Sequence, residues 1–357
     1  MTTSAGTSSY RIAVDCMGGD KGPAEVVFAA AMALEDIGPE DVLILVGQEE
    51  LLRPLLRKAK IADNPRIQIQ HASDVVEMDD KPMQALKSKK DASMLRALEM
   101  VKSGEANAMV STGNTKVLVG AGTLKLRPMP GADRPALAAI MPNQTGHFIL
   151  MDVGANPEST PEHLVHNAVL GSIYAQAALG IDRPRVGLLT VGTEEGKGGE
   201  RINRTHALLK KLGNRINYVG PVEGFNMFEG DVDVVITDGF TGNVLLKSLE
   251  GMFYMLMGLV KEKAGYNPMY LAGGLMLYPI LSKLKHHLKP ERNGGAPLLG
   301  LSALVMKAHG SSSRHAIRGA IRLGREALKH NIGNKMRTSL SEANALLLDA
   351  AYGEQGH

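Results

Sequence analysis

Short apolar runs alternate with longer stretches of helical periodicity from Tyr10 onward. The runs 11–15, 42–47, 66–71, 108–111, 136–141, 148–152, 186–191, 232–238 and 303–308 read as strands, most of them apolar throughout. Strands with helices on both faces look like this, because both side-chain directions meet a core. Helical patterns at 25–37, 93–103, 162–179 and 312–331 lie between them. The rhythm predicts an α/β protein with a largely parallel sheet. Runs 136–141 and 148–152 are joined only by PNQTGH, which predicts an antiparallel hairpin within a mixed sheet.

One stretch breaks the rhythm. From 243 to 288 there is no strand, only two helical patterns joined by AGYNP. Leu271, Leu275, Met276, Leu277, Ile280, Leu281, Leu284 and Leu288 stand opposite Lys283, Lys285, His286 and Lys289. This amphipathic arm, 243–290, suits the core, a second subunit or a membrane surface. Residues 1–9 read as a disordered extension and 341–357 as a loosely docked tail. A single α/β unit, 10–340, lies between them.

Glycine is frequent, 40 of 357 residues, as ligand-binding turns require. The net charge of +3 hides an uneven distribution. Residues 275–340 carry 12 Lys and Arg against Glu291 and Glu326, leaving 28 basic and 35 acidic residues elsewhere. A basic C-terminal region on an acidic remainder suggests an anionic partner, with solvated helix faces as the alternative. Arg314, Arg318 and Arg322 fall at helical spacing and could share one face. The lone Cys16 excludes an internal disulfide and a cysteine-based zinc site. With no secretory-type N-terminus and no long apolar run, a soluble cytoplasmic protein is the expectation.

Candidate chemistry sits where strands end, since ligands of parallel α/β sheets bind beyond the carboxyl ends. Those ends read DCMGGD (15–20), STGNT (111–115), DVGAN (152–156), GTEEGKGG (192–199) and DGFTGN (238–243). Turns of Gly, Ser and Thr entering helices offer free N–H groups to an anion, although such turns also serve purely as caps. Several along one sheet edge favour a phosphate-like or carboxylate ligand. The phosphate-binding Gly-x-x-x-x-Gly-Lys loop, the dinucleotide Gly-x-Gly-x-x-Gly turn and the Gly-x-Ser-x-Gly elbow are absent. Cys16 reads as a packing residue before a nucleophile. Asp15, Asp20, Asp152 and Asp238 could gather magnesium but more commonly cap helices or pair with cations. The adjacent His286 and His287 diverge on a helix and make poor metal ligands.

Together, RIAVDCMGGDKGP, VSTGNTKVLVGAG, ADRPALAAIMP, LMDVGAN, HLVHNAVLGSIYA, RVGLLTVGTEEGKG, VDVVITDGFTGNVLLKSLEG and APLLGLSALVMKAHGSSS resemble the bacterial phosphate acyltransferases of PlsX type, across about 11–334. The resemblance implies a three-layer α/β/α sandwich of two intertwined halves, similar to isocitrate and isopropylmalate dehydrogenases and phosphotransacetylases, in a homodimer. It implies transfer of a fatty acyl group from acyl carrier protein to inorganic phosphate. The acyl phosphate then serves a membrane glycerol-3-phosphate acyltransferase in phospholipid synthesis. Lys116 departs from the small residue usual in the family motif, and Cys16 from the usual alanine.

The residues suit that chemistry. A thioester has a good leaving group and phosphate is itself a nucleophile, so positioning and oxyanion stabilisation suffice, without cofactor or metal. Lys197 is the expected charge-neutralising group, and Asn243 the residue that orients phosphate or polarises the carbonyl. Asn114, Thr115, Arg134, Asp238, Thr241, Gly242, His309 and Ser311 are candidate substrate or phosphate ligands, with loop capping as their alternative use. The expected partners are acyl carrier protein and an anionic membrane surface touched peripherally, with no nucleic acid. A membrane scaffold without catalysis and an isocitrate-type dehydrogenase are the competing readings.

Overall fold

The computed structural model describes residues 9–353 apart from 193, 195, 196, 266–268, 271, 272, 274, 275, 281 and 283–294. The chain begins β1 (Arg11–Asp15), α1 (Pro23–Ala33), β2 (Val42–Gly47), α2 (Glu49–Lys58) and β3 (Ile67–His71). Helices α3 (Pro82–Ser88) and α4 (Ser93–Ser103) lead to β4 (Ala108–Ser111) and α5 (Thr115–Lys125). The hairpin β5 (Ala136–Pro142) and β6 (His147–Met151) follows, as its polar turn predicts. Then come α6 (Pro161–Leu179), β7 (Arg185–Thr190), α7 (Gly199–Lys211), β8 (Asn217–Glu223), β9 (Val234–Ile236) and α8 (Gly239–Ala264). The chain returns through β10 (Ala296–Leu299) and β11 (Leu304–Lys307) and closes with α9 (Arg314–Lys329) and α10 (Ile332–Gly353).

All eleven strands join one sheet in the order β3-β2-β1-β4-β11-β10-β5-β6-β9-β7-β8. The group β3-β2-β1-β4-β11 is parallel, and so is β6-β9-β7-β8. Three antiparallel steps, β11 to β10, β10 to β5 and β5 to β6, separate them. The two groups therefore run in opposite senses. Their terminal loops do not share one sheet edge, which corrects the expectation from sequence.

Register brings the loops together by another route. Asp15, Ser111, Lys307 and Ala296 occupy one transverse row. Ala138, Met151 and Ile236 occupy another. Leu298, two residues beyond Ala296, pairs with Leu137, so the two rows all but coincide at the junction. The strands of both groups thus end at one level, arriving from opposite directions. Such a switch point is where α/β sheets hold ligands.

Helices cover both faces. Ile12 and Val14 point into a core shared with α1, α2, α6, α9 and α10, whereas Ala13 and Ile44 point into a core shared with α4 and α5. The second core continues over Leu137, Met141 and Val153 to the first turns of α8 at Leu245, Leu246 and Leu249. Beyond Leu249, α8 leaves the core, and Met252, Met255, Leu256, Leu259 and Val260 are exposed. By length and composition its segment Gly239–Lys263 is apolar enough to cross a membrane.

Two further expectations are corrected. The folded chain does not loosen near residue 341, because α10 runs to Gly353 with Ala343 buried and Leu346 and Leu347 against the core. Nor are Arg314 and Arg318 free for a partner, although Arg322 of the same face is exposed. Arg314 binds Glu25 at 2.5 Å, Arg318 binds Asp36 at 2.5 Å, and Arg325 binds Asp41 at 3.0 Å. These charges fasten α9 to α1 and the start of β2.

Candidate active site

The loops after β1 and β4 are in backbone contact. A Cβ on Gly18 would stand 2.7 Å from the Cα of Gly113, so only glycine lets them approach this closely. Beneath them, buried Asp15 accepts from the hydroxyls of Ser93 and Ser111, each at 2.6 Å. On the other side of the junction, Asp152 accepts backbone N–H bonds from Leu137, Gly154, Ala155 and Asn156 at 2.8–3.0 Å. The loop after β6 is thereby wound around one carboxylate. Helix α8 lies directly on this loop, since a Cβ on Gly242 would meet the carbonyl oxygen of Asp152 at 1.9 Å.

An open cavity of about 380 Å³ occupies the junction. Leu137, Ala139, Ile140, Met141, Val153 and Leu246 form an apolar wall. Thr115 and Lys116 enter after β4, Lys307, His309 and Ser311 at the end of β11, Gly154 after β6, and Asn243 and Lys247 from α8. Both strand groups therefore contribute. An apolar wall faces a set of cations and hydroxyls, with Glu250 among them.

Most cations of that set are accessible, and one is buried. Lys247 Nζ lies 2.7 Å from Glu250 and 3.1 Å from His309 Nε2. An ammonium can only donate, so His309 Nε2 accepts from Lys247, and Nδ1 lies 2.9 Å from the Ser311 hydroxyl oxygen. Glu250 and His309 take two of the three N–H groups of Lys247, leaving the third for an anionic oxygen. Burial and then the Lys247 ammonium push the His309 imidazole below its usual value, so it stays neutral at pH 7. Lys307 is only 6% exposed. Burial pushes its amine down to about 8, while Asp15 and Asp20 pull it partly back.

Of the residues picked out by sequence, Asn243, Thr115, His309 and Ser311 line the cavity. The rest have other positions. Asn114 caps α5 through Val117 N–H at 3.2 Å, and its amide donates to the carbonyls of Met78 and Asp80 at 2.8 and 3.1 Å. Its donors are spent within the loop. Asp238 caps α8 through Thr241 N–H at 2.8 Å and binds Arg201 at 2.7 Å. Asp238, Thr241 and Gly242 thus seat α8 so that Asn243 lines the cavity. Arg134 is exposed on the loop before β5, near His163 and outside the lining. Lys197 lies just before α7, outside the lining, and its ammonium pairs with Glu194 at 2.6 Å.

Cys16 is fully buried, and burial pushes its thiol well above the ordinary value, which leaves it unfit as a nucleophile. Asp15, Asp152 and Asp238 each serve a different loop or helix end. No group of three or more potential metal ligands is found among the described residues. Sequence reasoning missed Lys247 and Lys307. The signal for Lys307 was a lysine at the end of an otherwise apolar strand, ALVMKA.

A family model described as fatty acid synthesis protein matches residues 10–335. The phosphate acyltransferase of Methylococcus capsulatus is 42% identical over 337 residues, covering 93% of this chain and 98% of its own. That of Desulfitobacterium hafniense strain Y51 is 43% identical over 336 residues, covering 94% and 98%. The chain belongs to the phosphate acyltransferase family. It is a transferase of acyl groups. The fold is shared with a phosphotransacetylase from Streptococcus pyogenes, at a TM-score of 0.60 and 18% identity over 90% of this chain and 94% of the other. It is shared also with the EutD phosphotransacetylase of Staphylococcus aureus, at 0.58 and 15% over 89% and 94%.

Proposed function

We propose that this chain moves a fatty acyl group from the thioester of acyl carrier protein to inorganic phosphate, releasing acyl phosphate for phospholipid synthesis. The observation that carries this reading is the cavity itself, an apolar wall facing Lys116, Lys247, Lys307, His309 and the hydroxyl residues Thr115, Ser311 and Ser312. Lys116 and Lys247 offset the charge of the phosphate dianion, and Thr115 and Ser311 bind its remaining oxygens. Asn243 orients the phosphate or polarises the carbonyl. Lys197 closes on the phosphate from the loop before α7. Its pairing with Glu194 is solvent-exposed and therefore weak, so an incoming anion can displace the carboxylate.

The exposed stripe of α8 beyond Leu249 fits a second copy of this chain and supports a homodimer. The membrane role falls to the arm's tip, where Met276, Leu277 and Ile280 are exposed. Leu271, Leu275, Leu281, Leu284, Leu288, Lys283, Lys285, His286, His287 and Lys289 lie outside the described residues. A cytoplasmic enzyme touching an anionic bilayer there would release its poorly soluble product beside a membrane glycerol-3-phosphate acyltransferase.

Hydroxylamine trapping tests the reaction, because acyl phosphate yields a hydroxamate. Hydroxylamine also attacks the thioester by itself, so the hydroxamate counted is that formed above the enzyme-free rate, and it must require phosphate. Asn243→Ala, with folding intact, should lower turnover by ~10²–10³, the usual cost of one preorganised donor. Enzyme-dependent hydroxamate without phosphate, or oxidation of a 2-hydroxy acid by a nicotinamide cofactor, would overturn the reading.

A further inference from the structure

We propose that Lys307 is a further catalytic residue of the transfer, the buried donor that receives the carbonyl oxyanion of the tetrahedral intermediate. The inference rests on the acyl-to-phosphate reading above. Lys307 closes β11 and lies two residues from Val305, so both side chains leave the sheet on one face. That is the face of Leu137, Met141 and Val153, which form the acyl wall. Its row neighbour Ala296 also lines the cavity. Lys307 therefore stands where apolar wall and polar rim meet, the place a thioester carbonyl occupies when its chain lies on the wall.

Its bonding is unlike that of a structural lysine. Nζ donates to the carbonyl oxygens of Thr112, at 3.1 Å, and Ala308, at 2.5 Å. An ammonium has three N–H groups, so the two backbone acceptors fix its direction and leave the third unspent. Among the described residues no carboxylate lies within ion-pair distance of it. Asp15, the acid nearest in the row, lies beyond Ser111 on β1 and is held by two serine hydroxyls. A buried cation without a direct counter-ion is costly, and packing alone would be served better by methionine or leucine. The cost has a use where negative charge appears only during reaction. Exposed Lys116 and Lys247 suit phosphate, which is charged throughout. A fixed, buried donor suits the oxyanion, which is not.

The step balances. A phosphate oxygen forms the new C–O bond to the thioester carbon, and the carbonyl π pair moves onto oxygen as the oxyanion bound by Lys307. When the carbonyl re-forms, the C–S bond breaks. The leaving thiolate takes the proton that hydrogenphosphate brought. Lys307 neither gives nor takes a proton but must be protonated to act. The charged groups facing it are Asp15 on β1, Asp20 on the following loop, Lys247 on α8 and His309 beyond β11.

The test compares wild type, Lys307→Met and Lys307→Arg in the full-length enzyme, by hydroxamate formation at saturating acyl carrier protein thioester and phosphate. Lys307→Met should lower kcat by ~10²–10³ while the KM for phosphate changes by less than about threefold. Wild-type kcat should fall above pH ~8 as the ammonium deprotonates. In Lys307→Arg, which keeps part of the activity, that alkaline limb should disappear below pH ~10, because a guanidinium stays charged. An active wild type with undiminished kcat in Lys307→Met overturns the role of Lys307 alone. So does an alkaline limb near pH 8 that persists in Lys307→Arg, which decides the matter if Lys307→Met does not fold. A wild type that forms no hydroxamate above the enzyme-free rate overturns the parent reading as well.

Discussion

Two basic regions of this molecule look alike in sequence and behave differently in the fold. The arginines of α9 form the denser cluster by count, yet Glu25, Asp36 and Asp41 absorb Arg314, Arg318 and Arg325. Their positive charge is spent on docking α9 against α1. The lysines of the cavity are scattered over residues 116, 247 and 307, and among the described residues only Glu250 pairs with any of them. Charge available to a ligand therefore depends on what the fold places opposite each cation. A count along the chain weighs the two regions in the wrong order.

The largest effect that separates the regions should come from the cavity. Lys116→Gln combined with Lys247→Gln should raise the KM for phosphate by at least ~10-fold, since each hydrogen bond from a charged donor contributes about 1.5–3 kcal/mol. Thermal stability should hardly change. Arg314→Gln combined with Arg318→Gln should do the reverse, lowering the melting temperature and leaving the phosphate KM alone. A phosphate KM that moves in the arginine pair would erase the distinction.

Arg325 sharpens it from the other side. Asp41 is 1% exposed, and its carboxylate also accepts from Tyr10 N–H and Gly38 N–H at 2.8 and 2.7 Å. Arg325→Met leaves that charge buried without its ion pair, at a cost of about 3 kcal/mol in urea unfolding. Acid should reveal the α1–α9 pairs as well. The side-chain bond from Arg314 holds the Glu25 carboxyl below its usual range, and that from Arg318 does the same for Asp36. A carboxyl depressed in the folded state stabilises above its unfolded value, near 4.5 for Glu and 3.8 for Asp, and loses this as pH falls through the folded value. The melting temperature should drop below pH ~4 in wild type, and less steeply in Arg318→Met. Equal slopes would show that the pair does not contribute.

The apolar strands were legible because burial on both faces leaves no other pattern. Two strands were not. β8 carries Gly220 and Pro221 at the sheet edge, and β10 carries Pro297, residues that normally argue against a strand. The opposite senses of the two parallel groups were also hidden, since they follow from β10 pairing between β11 and β5, a contact between distant parts of the chain. Asn243, Thr115, His309 and Ser311 stood out because glycine and hydroxyl turns mark strand ends. Lys307 did not, since a lysine ending an apolar run looks like a strand reaching solvent, and only the loop carrying Thr112 buries it.

The smallest expected effect concerns Cys16, which lies one residue past the Asp15 end of β1, beside the cavity chemistry but outside its lining. Its thiol is fully buried and faces the Val14 carbonyl at 3.4 Å. Burial, followed by the neighbouring Asp15 charge, suppresses the thiolate. Direct attack by phosphate on the thioester needs no enzyme thiol. Cys16→Ala removes one buried sulfur, a small cavity costing on the order of 1 kcal/mol. Turnover should stay within about twofold of wild type, a change of ~0.4 kcal/mol in the barrier. Mass spectrometry of the wild type quenched during turnover should detect no acyl group on Cys16. A folded but inactive Cys16→Ala, or an acylated Cys16, would replace direct transfer with a covalent route through the buried end of β1.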